Sequence, residues 1–257
     1  MVPRLQMWHL LTLTLYSVVV AGLALWVALP TAFVLFLLCG VPLAVLMYER
    51  PLQLGRLLVA TALVAVVFVV IDAVAHTTGA WYSIVQSSTR LLGVSFESVL
   101  FAFVHSLYFL VLYEFFFDDG VIQSRRQKIL LPLMVTLGAL VVSFFYLFSV
   151  ELVSFSFLWI LAVLFLVLIV TLLFMARGAS GKILEKVFWF AVAVWPLSVL
   201  MELVALANGV RVFAFTTEYM ATVTLFGQVV PLEELVLLLV WPMTLAALYE
   251  CYLDDTA

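Results

Sequence analysis

The chain has 257 residues, of which 67% are hydrophobic and only 10% charged, and its mean hydropathy is +1.31. A soluble domain is about half apolar and about a quarter charged, so most of this chain has lipid as its solvent, which excludes a soluble enzyme and a disordered tail. Lys and Arg number 11 against 15 Asp and Glu, which leaves no basic face for phosphates and excludes a nucleic-acid binder.

The apolar runs are continuous, where a membrane β-barrel needs strands that alternate apolar and polar. The chain therefore reads as an all-α, polytopic membrane helical bundle. A spanning helix needs about 20 largely apolar residues. Eight segments qualify in chain order: 7–28, 31–47, 57–76, 96–117, 128–149, 152–175, 184–206 and 232–252. Pro30 separates the first two. The first reads as a span rather than a cleaved signal, because its hydrophobicity outlasts signal length and no small-residue cleavage site follows.

Charge gives the orientation. With both termini and the 2–3, 4–5 and 6–7 loops on one side, that side holds Arg4, Arg50, Arg56, Arg125, Arg126, Lys128, Arg177, Lys182 and Lys186, and the other only Arg90 and Arg211. Nine against two is a positive-inside pattern with cytoplasmic N- and C-termini in a multi-pass cell-membrane protein. The long loops 77–95 and 207–231 then lie outside.

The chain repeats itself. Residues 97–119 align without a gap on 233–255 at an offset of 136, with identities at Glu97/Glu233, Val104/Val240, Leu112/Leu248, Tyr113/Tyr249, Glu114/Glu250, Asp118/Asp254 and Asp119/Asp255. Upstream, 71–75 parallels 201–205 at an offset of 130, and Gly79 and Gly209 follow at equal distance. Acids are rare in membrane sequence, so matched Glu and Asp carry the signal. The expected organisation is two parallel four-helix repeats, 1–120 and 121–257, with a site where they meet at a pseudo-two-fold axis.

The acids form two sets. Glu114, Asp118, Asp119, Glu250, Asp254 and Asp255 sit at the cytoplasmic helix ends and read as solvated boundary charges, with Tyr113 and Tyr249 in the interfacial aromatic belt. Asp72 and Glu202 lie near the outer ends of the third and seventh segments, and Glu97, Glu233 and Glu234 open the fourth and eighth. A carboxyl inside the apolar slab is costly and marks a functional site; apolar surroundings and an adjacent acid both favour its protonated form, which suits a general acid. An acid in a first helical turn is also stabilised by the macrodipole without any function.

Other groups carry less. His76 shares a helix face with Asp72 and reads as a proton relay or a boundary histidine. His105 lies deeper, with Trp241 as its counterpart; with His9 it makes no metal-binding cluster. Arg211 is expected to pair with Glu218. Trp81, Tyr82 and several Phe residues are candidate cavity walls whose π faces stabilise a cation. Cys39 and Cys251 have neither disulfide nor metal spacing. The lysines, 128, 182 and 186, all lie near the cytoplasmic boundary, which disfavours a retinal Schiff base, and Leu238 stands where a Glu-Glu-x-x-x-Arg protease needs Arg. No Gly-rich phosphate loop, nucleophile elbow or HExxH occurs.

The duplicated pattern resembles the membrane-integral lycopene cyclases, the heterodimeric bacterial type and its fused archaeal and fungal forms. Their repeat reads Asp-x-x-Ala-x-x-x-Gly-x-Trp, then Gly-x-x-Pro-x-Glu-Glu opening a helix. Asp72, Ala75, Gly79 and Trp81, then Glu97, match in the first half, with Gly93 one residue closer to the proline position than in the pattern. Ala205 and Gly209, then Pro231, Glu233 and Glu234, match in the second, with Gly227 one residue further from the proline than in the pattern. Ser95 and Ser98 replace the proline and second acid of the first half, Glu202 replaces Asp, and Arg211 stands in place of Trp, as in a divergent paralogue. The family commonly has about three helices per half, against four expected here.

The resemblance implies a redox-neutral, cofactor-free cyclisation of a carotenoid or other prenyl chain in the bilayer. Glu233 or Glu234 would protonate a terminal double bond, the cation would close a ring, and Glu97, Glu202 or Asp72 would remove a proton or tune the acid. Trp81, Tyr82, His76, Arg211 and Phe96 would contact substrate. No metal, nucleic acid or nucleotide is implied, and oligomeric state is left open. Two other classes stay open: a non-catalytic carotenoid or lipid binder, and a proton-coupled transporter. Against the transporter, Pro196 and Pro242 are matched by Val66 and Ser106, so the helix breaks are not duplicated.

Overall fold

A computed structural model of the chain describes residues 4–27, 29, 31–49, 54–78, 81–82, 90–91, 94–117, 169, 180–209, 211–213, 219 and 221–252. Helix accounts for 84% of what is described. In order the helices are α1 Arg4–Trp26, α2 Thr31–Leu35, a π-helical turn Phe36–Gly40, α3 Val41–Glu49, α4 Leu54–Thr78, α5 Phe96–Phe116, α6 Ser180–Ala207 and α7 Leu232–Tyr252. Six of the eight apolar segments are thus helical within a few residues of their expected bounds. The fifth and sixth, 128–149 and 152–175, lie outside the described residues apart from Ile169, as do Asp118, Asp119, Asp254 and Asp255.

Three helices are long and apolar enough to cross a membrane: Phe96–Phe116, Gly181–Ala207 and Leu232–Glu250. Shorter apolar stretches run over Leu11–Trp26, Phe33–Glu49 and Leu57–Ala73. The outward faces are apolar too: Trp8, Leu15, Trp26, Val66 and Trp189 are each more than half exposed. Large apolar side chains on several outward faces suit hydrocarbon, not water.

Helix α4 packs along α5, α6 packs along α7, and α5 meets α7 to join the two pairs, with α1 laid against α6. The described strands are short ladders at the end of the bundle where α4 and α6 finish. β1 (Trp81–Tyr82) pairs antiparallel with β4 (Val212–Phe213), β2 (Arg90–Leu91) with β3 (Val94–Ser95), and β5 (Thr222–Leu225) with β6 (Gln228–Pro231). In the first ladder Tyr82 faces Val212, its own counterpart at the offset of 130.

The π-helical turn departs from the unbroken helix expected over 31–47. The Val41 N–H bonds Phe36 O, one residue further back than an α-helix would place it. The carbonyl of Leu37 thereby loses its intrahelical donor, and the Tyr16 hydroxyl of α1 donates to it at 2.9 Å. The irregularity is a tertiary joint that fastens α1 to the following helix.

At the end of the bundle away from the ladders, the two halves exchange hydrogen bonds. Tyr113 of α5 donates to Glu250 of α7, and Tyr249 of α7 donates to Glu114 of α5 at 2.6 Å. Lys186 of α6 also bonds Glu250. The two Tyr rings meet edge to face at 6.1 Å. Tyr113 is 0% exposed, Tyr249 2%, Glu114 8% and Glu250 4%, so these are interior groups and not the boundary charges and belt aromatics that their position suggests. A buried carboxylate needs donors, and each half supplies the donor for the other.

Tyr249→Phe leaves Glu114 short of a donor in a buried site. The expected loss is about 1.5–3 kcal/mol, read as a lowered Tm in detergent. Adding Glu114→Gln should cost little more, since the lost hydrogen bond is shared between the two.

Candidate functional site

The site is built where α6 ends and α7 begins. Asn208 and Gly209 close α6: the amides of Asn208 and Gly209 bond the carbonyls of Val204 and Leu206, and Gly209 takes φ 67°. That left-handed residue turns the chain back along the helix, and the Arg211 amide reaches the carbonyl of Ala205 at 3.5 Å. The guanidinium is thereby returned to the last turns of α6. The start of α7 is held by the β5–β6 hairpin. Phe226 and Gly227 take φ 48° and 79°, the two-residue turn with both centres left-handed, and the Leu232 amide bonds Ala221 O at 2.9 Å.

These elements meet on one charge. Arg211 Nη1 lies 3.1 Å from Glu202 Oε2 of α6 and 2.9 Å from Glu234 Oε1 of α7. The Arg211 side chain is 13% exposed and those of Glu202 and Glu234 are 4% and 1% exposed. Burial opposes the charge on Arg211, but Glu202, Glu234 and Asp72 together outweigh it and hold the guanidinium pKa above its ordinary value. The other oxygens, Glu202 Oε1 and Glu234 Oε2, are buried and have no hydrogen-bond partner among the described residues. Arg211 is therefore fastened to Glu202 and Glu234; Glu218, the expected partner, lies outside the described residues.

The triad forms one side of a cavity of about 40 Å³. One water needs about 10–15 Å³ by this kind of measure, so the cavity has room for a few waters. Its walls come in repeat-related pairs. Phe68 and Ser198, and Ile71 and Met201, face it at the offset of 130; Phe101 and Leu237, and His105 and Trp241, face it at the offset of 136. Glu202 and Glu234 line it as well, whereas their counterparts Asp72 and Ser98 do not. The cavity thus lies between equivalent surfaces of the two helix pairs, with its acids on the α6–α7 side. Phe68 and Trp241 touch edge to face at 5.8 Å across that boundary. His105 stacks on Phe101 at 5.4 Å and meets Phe109 edge-on at 4.3 Å.

The expected site residues fall into three groups. Glu202, Glu234 and Arg211 converge on the cavity, with Asp72 buried close enough to act on Arg211. Glu233 is fully buried but is not on the cavity wall. The reason is helical: Glu234, Leu237, Leu238 and Trp241 share one face, and Glu233 is turned about 100° from it. Glu97 is half-buried in the first turn of α5, whose N-cap Ser95 accepts from the Ser98 amide at 3.2 Å. Neither Glu97 nor Phe96, which is 57% exposed, lines the cavity. Trp81 and Tyr82 lie in the ladder beside β4, and His76 lies in the last turns of α4; their side chains are outside the described residues.

Sequence reasoning passed over His105 and Trp241 as wall residues. The signal was present: each lies seven residues beyond Ser98 or Glu234, the same face two turns on. Among the described residues no group of three His, Cys, Asp or Glu is arranged to hold a metal ion. The chain matches no family model, no curated protein and no solved structure.

Arg211→Met should cost about 3–5 kcal/mol of stability by stranding buried carboxylates. Adding Glu202→Gln and Glu234→Gln should recover most of that loss. Thermal unfolding in detergent, followed by circular dichroism, checks both expectations.

Proposed function

We propose that the chain is a membrane-embedded isoprenoid cyclase that closes a ring on a polyene end, with lycopene the first substrate to test. The observation that carries this is the cavity between repeat-related helix faces, with buried carboxyls on one side and aromatic walls around it. The chain would cross the membrane eight times as two four-helix repeats, with both ends cytoplasmic and the Arg211 cavity toward the outer face. The likeness of the duplicated motifs to the lycopene cyclases supports the choice of reaction.

In this reading Glu234 is the acid. Glu202 and Glu234 both close on the Arg211 guanidinium, and a proton shared between the two carboxyls balances the charge. It is delivered from Glu234 to the terminal double bond of the polyene. The tertiary cation is attacked by a double bond of the same chain, and the π faces of Phe68, Phe101 and Trp241 stabilise the positive charge. Loss of a proton from the neighbouring carbon leaves a ring double bond, and no electrons are exchanged with a cofactor. Arg211 and Glu202 hold the Glu234 carboxyl in place. The Phe68–Trp241 contact parts to admit the polyene end, because the closed cavity holds only water-sized groups.

One observation favours a proton-coupled carrier instead: a second buried carboxylate set, Glu114 and Glu250, at the opposite end of α5 and α7. A carrier would leave the polyene unchanged.

Pigment chromatography of lycopene-accumulating bacteria that express the chain separates these readings. Cyclised product is expected, and Glu234→Gln should reduce it by about 10²–10⁴-fold, the usual contribution of a general acid. Glu233→Gln should retain far more activity. Unchanged lycopene, with the protein confirmed in the membrane, would remove this substrate; full activity in Glu234→Gln would remove the assigned acid.

A further inference from the structure

Resting on the cyclase reading, we infer that His105 is a catalytic residue, the base that removes the proton after ring closure. Protonation and deprotonation occur at different carbons of one substrate end, so the acid and the base must reach it from different places. The acids occupy the α6–α7 side of the cavity. On the opposing α4–α5 side, Phe68, Ile71, Phe101 and His105 face the same space, and only the imidazole has a lone pair able to take a proton.

Two features suit the ring to that work. His105 is 6% exposed, lines the cavity, and makes no hydrogen bond to another described residue, so a ring nitrogen remains available. Its plane is set by the stacked Phe101 and the edge-on Phe109, which position the imidazole without consuming its nitrogens. The matching position in the other half is Trp241, whose indole is a donor only. One wall position therefore carries a base and its counterpart carries a cation-stabilising ring, which makes the chemistry of the two-fold cavity directional.

The step balances. Glu234 gives its proton to carbon and becomes a carboxylate. His105 takes a proton from the carbon next to the cyclised cation, and the electrons of that C–H bond become the ring double bond. The imidazolium then faces the Glu202–Arg211–Glu234 cluster, now one proton poorer. A water in the cavity returns the proton to the Glu234 carboxylate, and both groups are reset.

The test uses membranes containing the full chain, lycopene as probe and D₂O as solvent. His105→Phe keeps both ring contacts and deletes the base. It should still place deuterium on the polyene, because the acid is intact. The normal ring product should fall about 10-fold or more, with isomers of displaced double bond or a water-captured alcohol in its place. Glu234→Gln should lose deuterium uptake and cyclisation together. In His105→Ala, added imidazole should restore the normal isomer, a rescue that a purely structural role would not give. If His105→Phe makes the normal product at the normal rate and isomer ratio, the assignment is overturned while the cyclase stands. If the unaltered protein shows neither deuterium uptake nor ring product, the reaction and the base assignment fall together.

Discussion

One guanidinium organises the Arg211 end of this bundle. Arg211 is the charge on which Glu202 and Glu234 both close, and those acids belong to different helices. Separating α6 from α7 would strand two buried carboxyls and a buried cation in an apolar interior, at several kcal/mol per ion. Charge therefore adds to packing in setting the relative placement of these helices. The local backbone serves this contact: the left-handed Gly209 returns the chain toward α6, and the hairpin bond from Leu232 to Ala221 fixes where α7 starts.

The same constraint gives the cavity its polarity. Around the repeat-related faces, the side near Arg211 can hold acids because the cation offsets them. The first half has no described counterpart to that pairing: Ser98 stands where Glu234 stands in the second, and Trp81 where Arg211 does. The two sides of the cavity thus carry unequal sets of ionisable groups among the described residues.

The helices were legible in the sequence because apolar run length is a local property. Six segments became helices close to their expected bounds, and Glu202 and Glu234 stood out as candidates from the rarity of acids in such runs. What faces inward was not legible. These helices are apolar on most sides, so periodicity does not distinguish a lipid face from a core face, and Tyr113, Tyr249, Glu114 and Glu250 read as boundary residues although they are interior. The π-helical turn was hidden for a related reason: its acceptor at Leu37 acquires meaning only when Tyr16 arrives from another helix. Arg211 has Glu218 nearby in sequence, and only the turn at Gly209 shows that it also looks back to Glu202.

The crossed tyrosine–glutamate bonds have the form of an isologous contact, in which residue i of one unit meets j of the other and j meets i. Two separate copies joined face to face would make the same pair of bonds, each copy completing the other's interior. Within one chain the two partners of such a pair are encoded separately, so a change on one side has no obligatory mirror image. The crossed pair is symmetric at one end of the bundle, while the other end sets Glu234 against Ser98.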